Sequence, residues 1–336
     1  MSREATGNSK NAKVIGYVLG ALLFALCTSA VAQQQAKLPK IGWLSPGSAA
    51  SNTSIELFLR EFRKLGYVDG ENIAIEVRHA EDKLDRLPGL AHELVSLKVD
   101  LLLTPGGNGA LALKNATKTI PIVFFGAVSD PVAAGLVDSL ARPGGNITGF
   151  TTISAVLVGK RLELLKETVS KLSRVAVLWN PIGQGSEQTW KESQLAAREL
   201  GLQLHSMEVS SADKYESAFK EAAKVRSAAL VVTQHTLASS NQKRIVDLAA
   251  KNRLPSMYYR GDFVASGGLM SYGADRTEPY RRAAVFVDKI LKGAKPADLP
   301  VEQPTKFELV INLNTAKQIG VTIPPNVLVR ADKVIK

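Results

Sequence analysis

Four histidines, at positions 79, 92, 205 and 235, and one cysteine, Cys27, are the residues of this 336-residue chain best suited to metal binding or nucleophilic attack. No histidine has a second His or a Cys at metal-ligand spacing, so no metal site is expected. Gly183-Gln184-Gly185-Ser186-Glu187 reads as a turn, because its serine is not flanked by glycines two residues away on both sides as a nucleophile elbow requires. No phosphate loop occurs, and the first apolar run leads into Ser45-Pro46-Gly47-Ser48 rather than a three-glycine dinucleotide turn. Neither ATP nor NAD is suggested, no cofactor is expected, and the chain lacks the usual tools of an enzyme.

What does recur is the strand end that delivers small polar residues and bare backbone N–H groups. Ser45 and Ser48, Thr104 with Gly106 and Gly107, and Ser129 with Asp130 all follow apolar runs in the first half of the chain. In an open α/β sheet such ends share one edge, where ligands bind. Helix N-termini and glycine turns there supply donors and partial positive charge, enough to hold a carboxylate without any lysine or arginine. Each loop alone is what an ordinary cap or turn requires; three on one edge point to a site. Opposite them, Asn180, Gln188, Gln234, Tyr259 and Asp262 end strands or open helices of the second half. That set of amides, an aromatic ring and an acid suits a neutral or zwitterionic solute. Asp130 or Asp262 would meet an ammonium, and Tyr259 or Trp179 would cover an apolar part. Trp179, ending an apolar strand, reads more readily as core, and Asp130 reads equally as a helix cap.

These loops need elements to hold them. Lys40 to Leu44 is expected as a strand. Asn52 to Leu65 is expected as a helix, with Ile55, Phe58, Leu59, Phe62 and Leu65 at three- and four-residue spacing. Asn72 to Arg78 alternates with period two, as a strand nearer a sheet edge does. A helix over Asp85 to Leu97, a strand over Val99 to Thr104 and a helix ending near Lys118 follow. Ile120 to Phe125 is a β-branched and aromatic run, expected as a buried strand. Asp130-Pro131 has the form of an N-cap with proline at the first helical position, which predicts a helix over Val132 to Leu140. Arg142 to Gly149, RPGGNITG, must turn the chain, and a crossover between lobes is expected there.

The same grammar then repeats. Helices are expected over Val158 to Val169, Gly185 to Leu200, Ser211 to Val225 and Ala238 to Asn252. Strands are expected over Arg174 to Trp179, Leu202 to Val209, Ala228 to Thr233 and Leu254 to Tyr259. Gly267 to Gly273 reads as a strand at a second crossover, Pro279 to Gly293 as a helix returning to the first lobe, and Pro300 to Thr305 as a third switch. Asn312 to Gly320 closes the helices and Val327 to Arg330 the strands. The fold class is therefore α/β, two Rossmann-like doubly wound lobes with a ligand cleft between them. The expected boundaries are residues 39–150 with about 274–300 for one lobe, and 151–273 with about 301–336 for the other.

Lys10 and Lys13 precede an apolar run, Val14 to Cys27, and Ala30-Val31-Ala32 follows it, the pattern of an export signal cleaved near Ala32. The run is shorter than the roughly twenty residues of a membrane span, so no stable membrane insertion is expected. Cys27 lies within the removed part, which leaves an exported protein with no thiol to oxidise. The net charge is +11, but Lys and Arg alternate with Glu and Asp along the helical stretches without a run of five like charges. A solvated surface explains this pattern, and no nucleic-acid partner is expected.

Several stretches are similar to one family over essentially the whole exported chain: Phe62 to Arg78, Thr119 to Gly149, Lys160 to Trp179, Gly267 to Gly273, Arg281 to Pro300 and Phe307 to Pro325. They resemble the ABC transporter substrate-binding proteins of the TrpX type. The resemblance implies a type I periplasmic binding fold, three hinge strands, a small-molecule solute, and an inner-membrane ABC permease with its ATPase as partners. It implies binding loops at Ser45 to Ser48, Thr104 to Gly107, Ser129 to Asp130 and Asn180 to Gln188. The first loop here, SPGS, departs from the TrpX pattern in lacking a histidine, so the ligand is not carried over. The function expected is that of a periplasmic importer component that binds a small organic solute, such as an amino acid or related carboxylate, by lobe closure. An exported sensor module or an exported enzyme with the same cleft are the alternatives, which gene neighbours or turnover of the solute would separate.

Overall fold

The computed structural model describes residues 38–49, 53–126, 130–183, 185–275 and 277–336. The stretch expected to be an export signal, with its expected cleavage site and Cys27, lies outside these residues. Among the described residues the chain forms two sheets. The first holds β1 (Lys40–Ser45), β2 (Ala74–His79), β3 (Leu101–Pro105), β4 (Ile122–Phe125) and β5 (Ile147–Phe150), all parallel, in the order β2-β1-β3-β4-β5. The second holds β6 (Arg174–Trp179), β7 (Gln203–Glu208), β8 (Ala229–Val232), β9 (Ser256–Tyr258), β10 (Met270–Ala274), β11 (Phe307–Asn312) and β12 (Lys333–Ile335). Their order is β12-β11-β10-β9-β8-β6-β7, and only β10 and β11 pair antiparallel. The run β7-β6-β8-β9-β10 thus repeats the order of the first sheet.

Residue type accounts for these placements. The runs IGWL, LLL and IVFF put buried apolar side chains on both faces of β1, β3 and β4, as central parallel strands need. Every residue of β2 is only half-buried, which fits its alternating sequence and its edge position. One face of the first sheet is covered by the helices Thr53–Arg63 and Glu278–Leu291, around Trp43, Phe58, Phe62, Phe125 and Phe286. The other is covered by Leu87–Ser96 and Gly107–Ala116, around Leu44, Leu94, Leu102, Leu113 and Phe124. In the second sheet, period two sends Val175 and Val177 of β6 towards the helices Leu157–Thr168 and Ser186–Glu199. It sends Ala176 and Leu178 the other way, towards Tyr215–Lys224 and Gln242–Lys251.

The chain passes between the sheets after β5, after β10 and before β11. Glu302 joins the first and third passages, because its N–H donates to Gly149 O at 3.0 Å and its carbonyl accepts from Thr151 N at 2.9 Å. The second passage runs from β10 into the helix Glu278–Leu291, which packs on β4 and β5.

Five local expectations are corrected. Val132 to Leu140 is not a helix: Asp130 Oδ1 caps one turn, Gly135 ends it at φ 66°, and Leu136 and Val137 are buried in the core. Lys114 Nζ donates to the carbonyls of Gly135 and Leu136, at 2.6 and 3.1 Å, in place of helical N–H groups. The first crossover does not lie in RPGGNITG, since Ile147–Phe150 is a full strand of the first sheet and the chain leaves only after Phe150. The helix expected over Ala238 to Asn252 breaks at Asn241, whose φ of −113° is non-helical, into Thr236–Ser240 and Gln242–Lys251. Val327 to Arg330 is not a strand; Pro325 starts a helical turn, Pro325–Leu328, as proline at a first helical position does, and the closing strand is β12. Finally β11, FELVIN, is a strand where none was expected.

Candidate functional site

The carboxyl ends of the two sheets, with the crossovers between them, line a partly open cavity of about 140 Å³. That is near the size of an engineered apolar cavity that admits benzene, so one ring-sized group fits. The first lobe contributes Ser45, Gly47 and Ser48 after β1, Pro105 at the end of β3, and Phe125 and Gly126 at the end of β4. The second contributes Gln234, Thr236 and Ser239 after β8, and Tyr259 and Arg260 after β9. Thr152, Ser154, Asp275 and Pro304 come from the crossovers, and Arg161 and Tyr280 from the helices beside them.

The aromatic part of the wall is ordered by its own contacts. Phe125 and Tyr280 meet edge to face at 5.3 Å, and the Tyr280 and Ser54 hydroxyls lie 3.3 Å apart. The Tyr259 and Ser239 hydroxyls lie 2.8 Å apart, and Tyr259 packs at 5.1 Å on Phe263. Burial pushes the Tyr259 phenol up to about 12, so it stays neutral.

Among the described residues, three charged groups reach the cavity. Arg260 stacks over the Tyr259 ring at 5.6 Å and forms a bidentate pair with Asp262, at 2.7 and 2.6 Å. Burial opposes its charge, but Tyr259 and Asp262 outweigh that and hold the guanidinium above its ordinary range. Asp275 Oδ1 accepts from Thr277 N, Thr277 Oγ1 and Glu278 N at 2.6, 2.5 and 3.0 Å, so it caps the helix Glu278–Leu291. Burial works to raise that carboxyl, and the bonds from Thr277 and Glu278 outweigh it and hold it below the usual range. Arg161 is 2% exposed and, among the described residues, bonds only to neutral acceptors, Tyr272 O, Ser154 O and Ser154 Oγ. Burial pulls it down to about 9, which leaves it cationic at neutral pH.

Of the residues expected from the sequence, Ser45, Ser48, Gln234 and Tyr259 line this cavity. Gly107 and Asn180 line a smaller hollow of about 30 Å³ beside it, with Gln234, Thr236, Asp82 and His235. His235 Nδ1 caps the helix Thr236–Ser240 by accepting from Ala238 N at 3.1 Å, and burial pulls its imidazole down to about 3. Thr104 is fully buried and donates to Leu44 O at 2.8 Å. Gly106 precedes the helix Gly107–Ala116, and a Cβ on it would stand 3.6 Å from Thr236 Oγ1 across the cleft. Asp130 is exposed and holds its own turn, and Gln188 is exposed and donates to Glu192 at 2.7 Å. Asp262 is occupied by Arg260, Trp179 stacks on Trp190 at 5.4 Å, and Ser129 lies outside the described residues.

The sequence did not single out the crossover residues or the two arginines that line this cavity, the expectation being that helix N-termini and glycine turns would hold a carboxylate. A signal for Arg161 was present: it stands at the three- and four-residue spacing of Val158, Leu162, Leu165 and Thr168, on the buried stripe of its helix. A charged residue inside an apolar stripe needs a partner or a purpose. Among the described residues no group of three or more His, Cys, Asp or Glu could hold a metal ion, and no helix is long and apolar enough to cross a membrane.

A family model described as ABC transporter substrate binding protein matches residues 51–335. The tyrosine-binding protein of Clostridioides difficile (strain R20291) is 29% identical over 262 residues, which are 78% of this chain and 75% of that protein. An ABC domain from Streptococcus pneumonia, solved in complex with L-Trp, superposes with a TM-score of 0.79 at 26% identity, covering 88% of this chain and 99% of the other. The ligand-free, open structure of a substrate binding protein with adhesive properties from Clostridium difficile superposes with a TM-score of 0.61 at 27% identity, covering 89% and 99%.

Proposed function

Because the chain belongs to the ABC transporter substrate binding protein family, with the fold of type I periplasmic binding proteins, we propose that it is the exported, periplasmic receptor of an ABC importer. In this role it binds a small organic solute between its lobes and presents the closed form to a permease and its ATPase. The observation that carries this reading is a cavity walled by both sheets and by the crossovers between them. A solute there gains contacts with both walls only when they are together, so binding shifts an open to closed equilibrium towards closed. Two contacts between the lobes support a closed arrangement: Ser240 Oγ donates to Asp82 Oδ1 at 3.2 Å, and Asn108 Nδ2 to Ile182 O at 3.4 Å. The likeness to known structures supports it too. At nearly equal identity the chain overlays the L-Trp complex at 0.79 and the open, ligand-free structure at 0.61.

The relatives named for tyrosine and L-Trp point to an amino acid or a related carboxylate, and the ring-sized cavity beside Phe125, Tyr259 and Tyr280 suits one with an apolar part. Native mass spectrometry of freshly purified protein is expected to show a retained solute of defined mass. Adding it back should raise the melting temperature and reduce the radius of gyration in X-ray scattering. A broad solute panel that gave no thermal shift, with one fixed shape throughout, would sink the proposal.

A further inference from the structure

We propose that Arg161 is the anion receptor of the cleft, so that the solute must carry a carboxylate or an equivalent oxyanion at the end that meets this guanidinium. The inference rests on the cleft being the solute site. It starts from charge balance. Arg260 is neutralised by the bidentate Asp262, and Asp275 is held by three donors at the positive end of a helix. Arg161 has no such partner: its bonds run to two carbonyls and a hydroxyl, and no carboxylate pairs with it among the described residues. Its Nε and Nη1 are used in those bonds, while Nη2 has no acceptor among the described residues.

A buried cation is tolerated when it is paired or hydrogen-bonded in full, and a planar guanidinium with an open edge is shaped to take an oxyanion. Arg161 lines the cavity, so the open edge and the solute share one space. The same side chain links two crossovers, through Ser154 after β5 and Tyr272 in β10. An anion bound there is therefore held at the joint between the lobes, where its charge acts on the closed arrangement. Asp275 makes no matching demand for an ammonium, because its charge is already answered by Thr277 and Glu278.

The test is a thermal-shift and calorimetry panel on the intact exported chain. Its acids are L-tyrosine, L-tryptophan, 3-phenylpropionate, phenylacetate, succinate and glutarate. Its controls are L-tyrosinamide, tryptamine, 3-phenylpropionamide, phenylacetamide and D-glucose. The tightest binders are expected among the acids, with L-tyrosine, L-tryptophan, 3-phenylpropionate and phenylacetate each roughly 10- to 100-fold tighter than the matching amide or amine if they bind, the range of a charge-assisted hydrogen bond. Arg161→Gln is expected to bring the acid down to the level of its amide, and Arg161→Lys to recover part of the difference. Circular dichroism and melting curves establish that each variant is folded, and the acid and amide pairs on the unaltered protein keep the test valid if a variant is not. Amides that bind as tightly as acids, or binders confined to neutral solutes and amines, would overturn the role of Arg161 and leave the receptor reading standing. A panel with no binder at all, and no shape change, would overturn the receptor reading and this inference with it.

Discussion

Asp130 is the residue whose meaning changes most between the chain and the fold. Its position after an apolar strand and before Pro131 suited both a ligand contact and a helix cap. In the folded protein its Oδ1 accepts from Val132 N and Ala133 N at 3.0 and 2.9 Å, and its side chain faces solvent rather than the cavity. Asp130→Ala is therefore expected to lower stability by roughly 1 kcal/mol, the usual worth of a capping side chain, with solute affinity unchanged. Urea unfolding and calorimetry on the same preparation check both halves. A loss of affinity with stability intact would place Asp130 in the site after all. Arg161 moves the other way, from an unremarked member of an amphipathic helix to the charge on which the cleft turns.

The strands that feed the crossovers depend on close approach of backbone. A Cβ on Gly149 of β5 would stand 1.9 Å from Phe124 O, and one on Gly273 of β10 would stand 2.0 Å from Tyr259 O. Both contacts are with main chain, which has no rotamer to yield. Gly149→Ala should push β5 away from β4 and cost about 1–3 kcal/mol, the usual penalty of overpacking, seen as a lower urea midpoint. An unchanged midpoint would show that β5 moves freely. The richness of RPGGNITG in glycine was legible in the sequence, but its reason was not. Glycine there makes room for a neighbouring strand as well as for a turn, and the distance to Phe124 O does not exist until β4 and β5 pair.

Across the whole molecule, Asp82 sits where the lobes meet and receives a hydrogen bond from Ser240. Burial raises its carboxyl above the ordinary range, more than the Ser240 bond lowers it. If closure is what buries Asp82, the closed form holds a proton there more tightly than the open form. Closure should then gain as pH falls from above that raised value down through it, and the gain should be complete below the open-form pKa. Solute affinity is expected to rise over the same interval. Asp82→Asn removes the charge, so it should bind more tightly at neutral pH, by up to roughly tenfold per pKa unit of difference, and flatten this part of the pH profile. Calorimetry at neutral and mildly acidic pH on the two proteins is the check, and parallel profiles would rule Asp82 out.

Periodicity was enough to draw most elements. Val175 and Val177 against Ala176 and Leu178, or Phe58 and Phe62 on one helical stripe, declare their faces because burial of apolar area is local in sequence and repeats with the element. The alternating α/β order follows from that periodicity, whereas the first passage does not: RPGGNITG reads as the place where the chain changes lobe, yet Ile147–Phe150 pairs with β4 and the chain leaves only after it. Other features depend on partners distant along the chain. Val132 to Leu140 has the sequence of a helix, yet it is held as a turn by Lys114 and by burial of Leu136. Asp262 has the chemistry of an ammonium ligand, yet Arg260 occupies it. Arg161 is recognisable as the open charge of the cleft only when β10, the first crossover and the two sheets stand around it, because compensation of a charge is settled by what lies within a few ångströms and not by its neighbours in sequence.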